Sequence, residues 1–437
     1  MTSVPSFSRS FFPNACYGFL GLPLAMAALP VYVQIPAYYT TQLGLPLAST
    51  GLVLFFARIV DTMQDPFLGK IIDKRRHSMA SWFIFASLLL AIAFYGLWRP
   101  PIAIGSGDMS ANLLLVWLGV MLIVAYTAHS MINIAYLSWG ARLANTNPDS
   151  KSIPNHQSNS TSSTSTLLGG AAWREGLGLI GVILASLIPS FIMQSFPTQI
   201  NAGLSYYALG FSVLLAMGII GLLRGAPKWQ KHTLDTAVSL REALSNIKFR
   251  RLLPIYFVNS ISVSIPATLS LFFINDRLQA PHLAGYFLAS YFIAGALGLP
   301  VWIFLAKRIG TILAWKLGML IAIASFIGAT FLASGNTAAY MLVCLASGLA
   351  LGADLALPPV LLAEIIPKNQ APASYYGVWT LLSKLALALS GLALPILSLL
   401  AYQPGQSTNT GGLVLLYAAL PCILKLFAMR SLHRYPS

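Results

Sequence analysis

The chain contains twelve separate runs of mostly apolar residues, and each run is long enough to cross a lipid bilayer as a helix. A spanning helix needs roughly 20 predominantly apolar residues, because the hydrocarbon core of a bilayer is about 30 Å thick. The runs lie near residues 15–42, 47–72, 81–98, 111–143, 167–194, 203–224, 251–277, 282–307, 311–332, 337–365, 371–402 and 411–430. Only 8% of the 437 residues are charged, which excludes a water-soluble fold of this size. The sequence therefore predicts an all-α integral membrane protein with twelve spans.

A polar connector separates the first six spans from the last six. In its second part Leu240, Ala243 and Leu244 recur at helical spacing, so we expect a helix that lies at the membrane surface. The predicted organisation is an N-terminal six-helix half over residues 1–224, a connector over 225–250 and a C-terminal six-helix half over 251–437.

Lysine and arginine are unevenly distributed between the connections. With the N-terminus placed inside, the inner connections carry most of them, including Lys70, Lys74, Arg75, Arg76, Arg142, Lys151, Lys307, Arg308 and Lys316, with Lys425, Arg430 and Arg434 at the C-terminal end. The outer connections carry only Arg99 and Arg277. Positive charge marks cytoplasmic loops, so we expect both termini in the cytoplasm, in a bacterial cytoplasmic membrane. This bias accounts for the net charge of +15 without any nucleic-acid partner.

Motifs typical of enzymes are missing from the sequence. No phosphate-binding loop and no Ser/His/Asp set stands out, and the three cysteines lie far apart in apolar runs. We therefore expect no enzymatic activity, no cofactor and no metal other than Na⁺. The lipid bilayer is an expected partner, and the expected state is a monomer.

Span 2 carries two carboxylates and a guanidinium inside its apolar run. Asp61 and Asp65 are four residues apart, and Arg58 precedes Asp61 by three, so all three share one helix face. An ionised side chain at mid-membrane costs roughly 2.5–3.5 kcal/mol on insertion scales, so such residues usually mark function. Two carboxylates one turn apart can bind a small cation or a proton, with Gln64 adding a carbonyl oxygen. The alternative is an ion-pair network with Arg58 that only joins helices.

The end of span 2 carries a second motif, GKIIDKRRH, which covers residues 69–77. Gly69 permits close approach of another helix, and Asp73 can accept hydrogen bonds from a helix N-terminus. With Arg75 and Arg76 these residues form a predicted conformational latch. The alternative is that the basic cluster only sets the topology.

Two motifs in this region resemble known families. GKIIDKRRH resembles the loop 2–3 motif of the major facilitator superfamily, in which Gly and three residues precede Asp and a basic cluster. ARIVDTMQDPFLG resembles the second helix of the glycoside–pentoside–hexuronide:cation symporters, the melibiose permease group, and matches it at Arg58, Asp61, Asp65, Pro66 and Gly69. The resemblance implies the major facilitator fold, with two six-helix halves.

The resemblance also implies roles for individual residues. Asp61 and Asp65 match the carboxylates that hold the coupling Na⁺, Li⁺ or H⁺, Gln64 replaces an Asn at that site, and Ser130 can complete it. The implied substrate-binding residues are Asn133, Arg174, Trp379, Thr380 and Lys384, of which Lys384 matches a lysine that links the two sites. His129, one helical turn before Asn133, is a further pocket candidate from its position alone.

The substrate site departs from the family pattern. Span 1 has no acid, and Asn133 stands where the family's sugar permease has an Asp, so both carboxylates that grip sugar hydroxyls are absent. Asp354, in the Gly/Pro-interrupted span 10, is a further candidate substrate contact, because broken helices near the midplane often form transporter binding sites. Its expected ion-pair partner is Lys384 or Arg174, and the alternative is a purely stabilising pair with Lys384.

The predicted function is symport of a small organic solute, such as a sugar or glycoside, coupled to Na⁺ or H⁺ by alternating access. A first alternative is cation-coupled transport of a lipid or other amphiphile, which the absent sugar-binding acids allow. The others are a non-transporting membrane sensor or assembly protein, and an integral membrane enzyme.

Overall fold

The computed structural model describes residues 7–74, 79–100, 111–143, 160–195, 199–226, 240–367 and 373–435. All regular secondary structure in these ranges is helical. The helices are α1 (Phe7–Phe19), α2 (Gly21–Ala37), α3 (Leu47–Lys74), α4 (Met79–Trp98), α5 (Ala111–Leu143), α6 (Ser160–Ser195), α7 (Ile200–Gly225), α8 (Leu240–Ser245), α9 (Ile247–Phe272), α10 (Ala284–Ile309), α11 (Thr311–Thr330), α12 (Thr337–Ile365), α13 (Ala373–Gly391), α14 (Ala393–Leu399), α15 (Gly411–Val414) and α16 (Leu420–His433).

Eleven segments among the described residues are long and apolar enough to cross a membrane. The twelfth predicted span is α3, whose 28 residues extend over roughly 42 Å at about 1.5 Å per residue. Arg58, Asp61 and Asp65 lower the hydropathy of α3, while Phe56, Met63 and Phe67 on the same helix remain exposed, as expected of a lipid-facing surface. The predicted all-helical membrane fold is confirmed.

Among the described residues, helices from the earlier part of the chain pack against helices from the later part at several places. Helix α3 packs against α13 and α14, α6 packs against α10, and α2 packs against α9. Glycines allow the closest approaches: a Cβ added at Gly51 would lie 2.7 Å from the carbonyl oxygen of Gly391, and one at Gly285 would lie 3.3 Å from that of Ser186. Both approaches lie towards the end of the bundle where α3 and α10 begin, and the first sets α13 directly against the carboxylate-bearing helix.

The connector is described only in part, since residues 227–239 lie outside the described ranges. Its described end is the short helix α8, with Ala243 fully buried. Asn246 then caps α9 by accepting a hydrogen bond of 3.2 Å from the Phe249 N–H and donating one of 3.1 Å to the Ile365 carbonyl. The described part of the predicted surface helix is therefore one short turn that packs against the C-terminal helices.

Candidate cation and substrate site

Asp61 lies near the middle of α3, and its carboxylate is buried against α5. Ser130 Oγ donates a hydrogen bond of 2.9 Å to Asp61 Oδ1, and Arg58 Nη1 lies 3.4 Å from Asp61 Oδ2. Pro66 follows Asp65 inside the same helix and cannot donate to the carbonyl four residues earlier, which weakens α3 directly after the second carboxylate. The spacing of the two aspartates and the packing of α5 together create a cluster of oxygen atoms inside the bundle.

Lys384 of α13 places its ammonium group inside this cluster. Its Nζ lies 2.5 Å from Asp65 Oδ2, 3.3 Å from Asp61 Oδ1 and 3.0 Å from Ser130 Oγ. The lysine comes from the second half of the chain and the three oxygens come from the first half. The ammonium group of Lys384, which carries one positive charge, therefore lies between the two carboxylates and joins the two groups of helices.

Two polar atoms of this cluster are buried and have no hydrogen-bond partner in the described part of the chain. They are Asp65 Oδ1 and Arg58 Nε. The Arg58 guanidinium lies 3.8 Å above the centroid of the Tyr126 ring, which holds it by a cation–π contact on the α5 side. A buried carboxylate oxygen without a partner is costly in a purely structural network, and it is available to a ligand.

Gln64 differs from the predicted arrangement. Its Nε2 faces Asp61 Oδ1 at 3.4 Å, and its Oε1 accepts a hydrogen bond of 2.8 Å from Thr127. The carbonyl oxygen expected to join the cation ligands is thus engaged by a threonine that the sequence reasoning missed. The Gln64 amide must rotate until its oxygen faces the cluster before it can coordinate a cation, because a cation binds the oxygen and not the NH₂ group.

The charges of the cluster balance. Arg58 and Lys384 contribute two positive charges, and Asp61 and Asp65 contribute two negative charges. Addition of Na⁺ or H⁺ would leave one excess positive charge in a partly buried site. Displacement of Lys384 into a more solvated position removes that excess, and its side chain is already 23% exposed.

Three of the predicted substrate residues lie on α5 and α6. His129 Nε2 lies 3.3 Å from the Leu24 carbonyl oxygen of α2, and Asn133 is half-buried one turn later on α5. Arg174 crosses α2 at a glycine, where a Cβ added at Gly21 would lie 3.1 Å from Arg174 Cγ. His129 and Arg174 therefore contact α2, the helix that in turn packs on α9 of the second half.

The other two predicted substrate residues precede Lys384 on α13. Trp379 is buried and stacks on Tyr256, with ring centroids 3.5 Å apart. Thr380 is exposed, and its hydroxyl donates a hydrogen bond of 2.8 Å to the Tyr376 carbonyl of its own helix. Trp379 thus has one ring face covered, and Thr380 lies one helical turn before Lys384.

The predicted ion pairing of Asp354 with Lys384 is wrong. Asp354 pairs instead with Lys425 of α16, with Nζ to Oδ2 at 2.7 Å and side-chain exposures of only 7% and 2%. Asp354 Oδ1 accepts hydrogen bonds of 3.0 Å from Asn259 and 2.9 Å from Trp315, and Lys425 also donates to Asn259 Oδ1 at 2.9 Å. The sequence reasoning had assigned Lys425 to the basic C-terminal end and missed its partners. Its position inside an apolar run was the available signal.

The predicted latch is only partly described. A Cβ added at Gly69 would meet no described atom within 4 Å, so the close helix approach expected there is absent from the described part of the chain. Asp73 lies in the last turn of α3, and Arg75 and Arg76 fall outside the described residues.

A small cavity lies where α2 approaches the C-terminal helices. Its volume is about 40 Å³, and its lining is mostly aromatic and apolar, including Val33, Phe287, Tyr291 and Phe326. Ser347 Oγ donates a hydrogen bond of 2.6 Å to the Val343 carbonyl, and the Tyr340 and Tyr417 hydroxyls are 2.7 Å apart, so these lining hydroxyls bond within the protein. The cavity therefore favours an apolar group over a polar one.

A multi-pass helical bundle with charged residues bridging its two groups of helices defines a membrane transporter of the major facilitator type. The chain belongs to the MFS/sugar transport protein family, whose model matches residues 16–437. The predicted resemblance to the glycoside–pentoside–hexuronide symporters is thereby confirmed.

Curated relatives are symporters and a transporter. The inner membrane symporter YicJ of Escherichia coli (strain K12) is 20% identical over 280 residues, which cover 61% of this chain and 55% of the relative. The isoprimeverose transporter of Lactiplantibacillus pentosus is 24% identical over 318 residues, which cover 69% of this chain and 60% of the relative. The matched stretch thus spans little more than half the length of these relatives.

Solved transporters share the fold over nearly the whole chain. The nucleoside transporter NupG superimposes with a TM-score of 0.67 at 16% identity and covers 98% of this chain and 100% of its own. A bacterial homologue of the iron transporter ferroportin in an inward-facing state gives 0.69 at 16% identity, with 97% and 98% covered. At these identities the likeness shows the fold alone.

Proposed function

We propose that this protein is a cation-coupled symporter that moves a small organic solute by alternating access, with Asp61 and Asp65 as the coupling-ion site. The observation that carries this proposal is the Lys384 ammonium among the oxygens of Asp61, Asp65 and Ser130. Those oxygens already accommodate one monovalent cation, and carboxylate and hydroxyl oxygens are ligands that hard cations prefer.

Competition between Lys384 and the coupling ion links binding to conformation. When Na⁺ enters, or a proton neutralises a carboxylate, the lysine loses its attraction to the aspartates and is released. Its ammonium then becomes available to the solute, together with Arg174. Because Lys384 and the aspartates lie on different halves, this exchange also changes how strongly α13 is held to α3. The cation can shift the conformational equilibrium only by the difference between its affinities for the two states.

Further observations support the proposed class of solute and the proposed orientation of the chain in the membrane. The symporter relatives and the isoprimeverose transporter favour a sugar or glycoside as solute. The lysine and arginine bias favours cytoplasmic termini and a bacterial cytoplasmic membrane. The contacts of α3, α6 and α2 with α13, α10 and α9 support a division into two halves, residues 1–224 and 251–437, joined by a connector over 225–250.

Reconstitution into liposomes tests the proposal. Purified protein is placed in vesicles with an inward Na⁺ or H⁺ gradient, and uptake of a panel of monosaccharides, disaccharides and glycosides is measured. We expect gradient-driven uptake of at least one solute, which Asp61→Asn and Asp65→Asn abolish. Glu364→Gln is the matched control, because its carboxylate lies elsewhere, 2.9 Å from Thr311 Oγ1. Uptake that survives in both aspartate variants would exclude this coupling site.

The aromatic cavity favours a second candidate, cation-coupled transport of an amphiphile. A solute with an apolar group would place that group in the cavity, whose lining is mostly aromatic and apolar. Ala267 lines the cavity, so Ala267→Phe would fill it. This change is expected to abolish uptake of long-chain alkyl or aryl glycosides and to spare free sugars. Equal effects on both solute classes would argue against this candidate.

A further inference from the structure

A groove between α9 and α16 is lined by apolar side chains in one part and by arginines in the other, which is complementary to the apolar and charged parts of a membrane lipid. Arg251, Pro254 and Ile255 line it on α9, and Phe427 and Ser431 line it on α16. Arg434 and Tyr435, just after α16, complete the lining of a space of about 300 Å³. On each wall of the groove, apolar side chains lie towards the bundle interior and an arginine lies at the end of the helix.

Among the described residues, no counter-charge lies at the cationic end of the groove. No carboxylate lines it, and neither the Arg251 nor the Arg434 guanidinium pairs with an acid in the described part of the chain. Arginine presents several N–H donors in a fixed plane and binds phosphate oxygens well. The head of the groove is therefore complementary to an anionic phosphate and unsuited to a cation.

The position of the groove matches the headgroup layer of a membrane. Arg251 lies in the second turn of the span that begins at Ile247, and Arg434 directly follows the span that ends at His433. Phe427, one wall of the groove, is 62% exposed, as expected of a side chain in contact with acyl chains. The Tyr435 hydroxyl donates a hydrogen bond of 3.1 Å to the Lys248 carbonyl, which fixes the end of the chain across the head of the groove.

We propose that this groove is a binding site for an anionic diacyl phospholipid such as phosphatidylglycerol. Arg251 and Arg434 hold the phosphate, the Ser431 hydroxyl supplies a hydrogen bond, and an acyl chain follows Pro254, Ile255 and Phe427. Basic pockets between membrane helices at the headgroup level bind anionic lipids in this manner. The occupied site bridges the first and last helices of the C-terminal half and is separate from the coupling-ion cluster.

Lipid titration of the full-length protein in detergent tests the proposal. The unfolding temperature is followed as dioleoyl phosphatidylglycerol, dioleoyl phosphatidylcholine or inorganic phosphate is added. We expect a saturable rise with phosphatidylglycerol and none with the other two. In the Arg251→Gln/Arg434→Gln variant the half-saturating concentration should rise by at least about tenfold, because each basic residue near an anionic headgroup contributes substantially to binding.

A matched variant controls for general loss of charge. Lys307→Gln/Arg308→Gln removes the same two positive charges from the end of α10, outside the groove, and should respond to phosphatidylglycerol like the wild type. If the double groove variant does not fold, the single variants Arg251→Gln and Arg434→Gln are titrated with the same lipids and compared with the same control. A full response in the groove variants, an equal loss in the control, or an equal rise with phosphatidylcholine would overturn the proposal. A rise with inorganic phosphate of the same size would assign the site to a soluble anion instead.

Discussion

Among the described residues, two ion-paired clusters lie inside the bundle, and they differ in burial, in hydrogen bonding and in the helices that they join. Asp354 and Lys425 lie within the C-terminal helices, have exposures of 7% and 2%, and share their remaining hydrogen bonds with Asn259 and Trp315. Asp61, Asp65 and Lys384 join opposite groups of helices, and Lys384 remains 23% exposed. Asp65 Oδ1 has no partner among the described residues.

The difference indicates which charges move. In the Asp354 cluster both carboxylate oxygens have hydrogen-bond partners within the protein. In the Asp61 cluster one lysine is shared among three oxygens, one further oxygen is unsatisfied, and water can reach the lysine. We therefore propose a stabilising role for the first cluster and an exchange role for the second, while a substrate contact by Asp354 stays a prediction.

The largest expected effect comes from breaking the enclosed pair. Lys425→Met leaves the Asp354 carboxylate buried without its counter-ion, and an uncompensated buried charge typically destabilises a protein by about 3–5 kcal/mol. Thermal unfolding in detergent and the folded fraction on size-exclusion chromatography measure this loss. The double variant Asp354→Asn/Lys425→Met should recover most of it, because no charge remains. A single variant as stable as the wild type would remove the distinction between the clusters.

Breaking the shared pair should affect ion binding more than stability. Lys384→Gln removes the ammonium that competes for the aspartate oxygens, so the affinity for Na⁺ should rise by about tenfold, equivalent to about 1.4 kcal/mol. Gradient-driven uptake should fall, since the exchange step is lost. Na⁺ titrations followed by the unfolding temperature measure the affinity.

Lys316→Gln is the control for this experiment, because Lys316 lies 3.3 Å from His433 Nδ1 and outside the cluster. Weaker Na⁺ binding in Lys384→Gln would show that the lysine supports the site and does not compete with the ion. If the unfolding temperature of the wild type does not respond to Na⁺, the same comparison is made with H⁺.

The smallest expected effect comes from removing one neutral ligand. Ser130→Ala deletes a hydroxyl that donates to Asp61 and accepts from Lys384. A net hydrogen bond contributes about 1 kcal/mol, so the cation affinity should fall by about fivefold. Ser212→Ala, which loses only a bond to the Ala208 carbonyl of its own helix, should leave the affinity unchanged. An unaltered affinity in Ser130→Ala would remove Ser130 from the predicted ligands.

Local spacing explains what could be predicted of the site. Asp61, Asp65 and Arg58 share a face because a helix turns once every 3.6 residues, and this relation needs no knowledge of neighbouring helices. Contacts between helices were predicted less well. Lys384 was placed near the cation site only through the family resemblance, while Asp354 was assigned the wrong partner and Lys425 was counted as a loop charge. Gln64 was predicted with its oxygen free, because the Thr127 hydroxyl that engages it belongs to another helix.

The sequence by itself determined an all-helical, multi-pass membrane protein, since the bilayer requires about 20 apolar residues for every crossing. It also determined that two carboxylates lie one turn apart inside a span. The tertiary structure decided which positive charge each carboxylate meets, because Asp61 and Lys384 are separated by 323 residues and approach only when α13 packs on α3. It also decided that Asp354 is enclosed while Asp65 keeps an unsatisfied oxygen, since burial and hydrogen bonding depend on the packing of several helices at once.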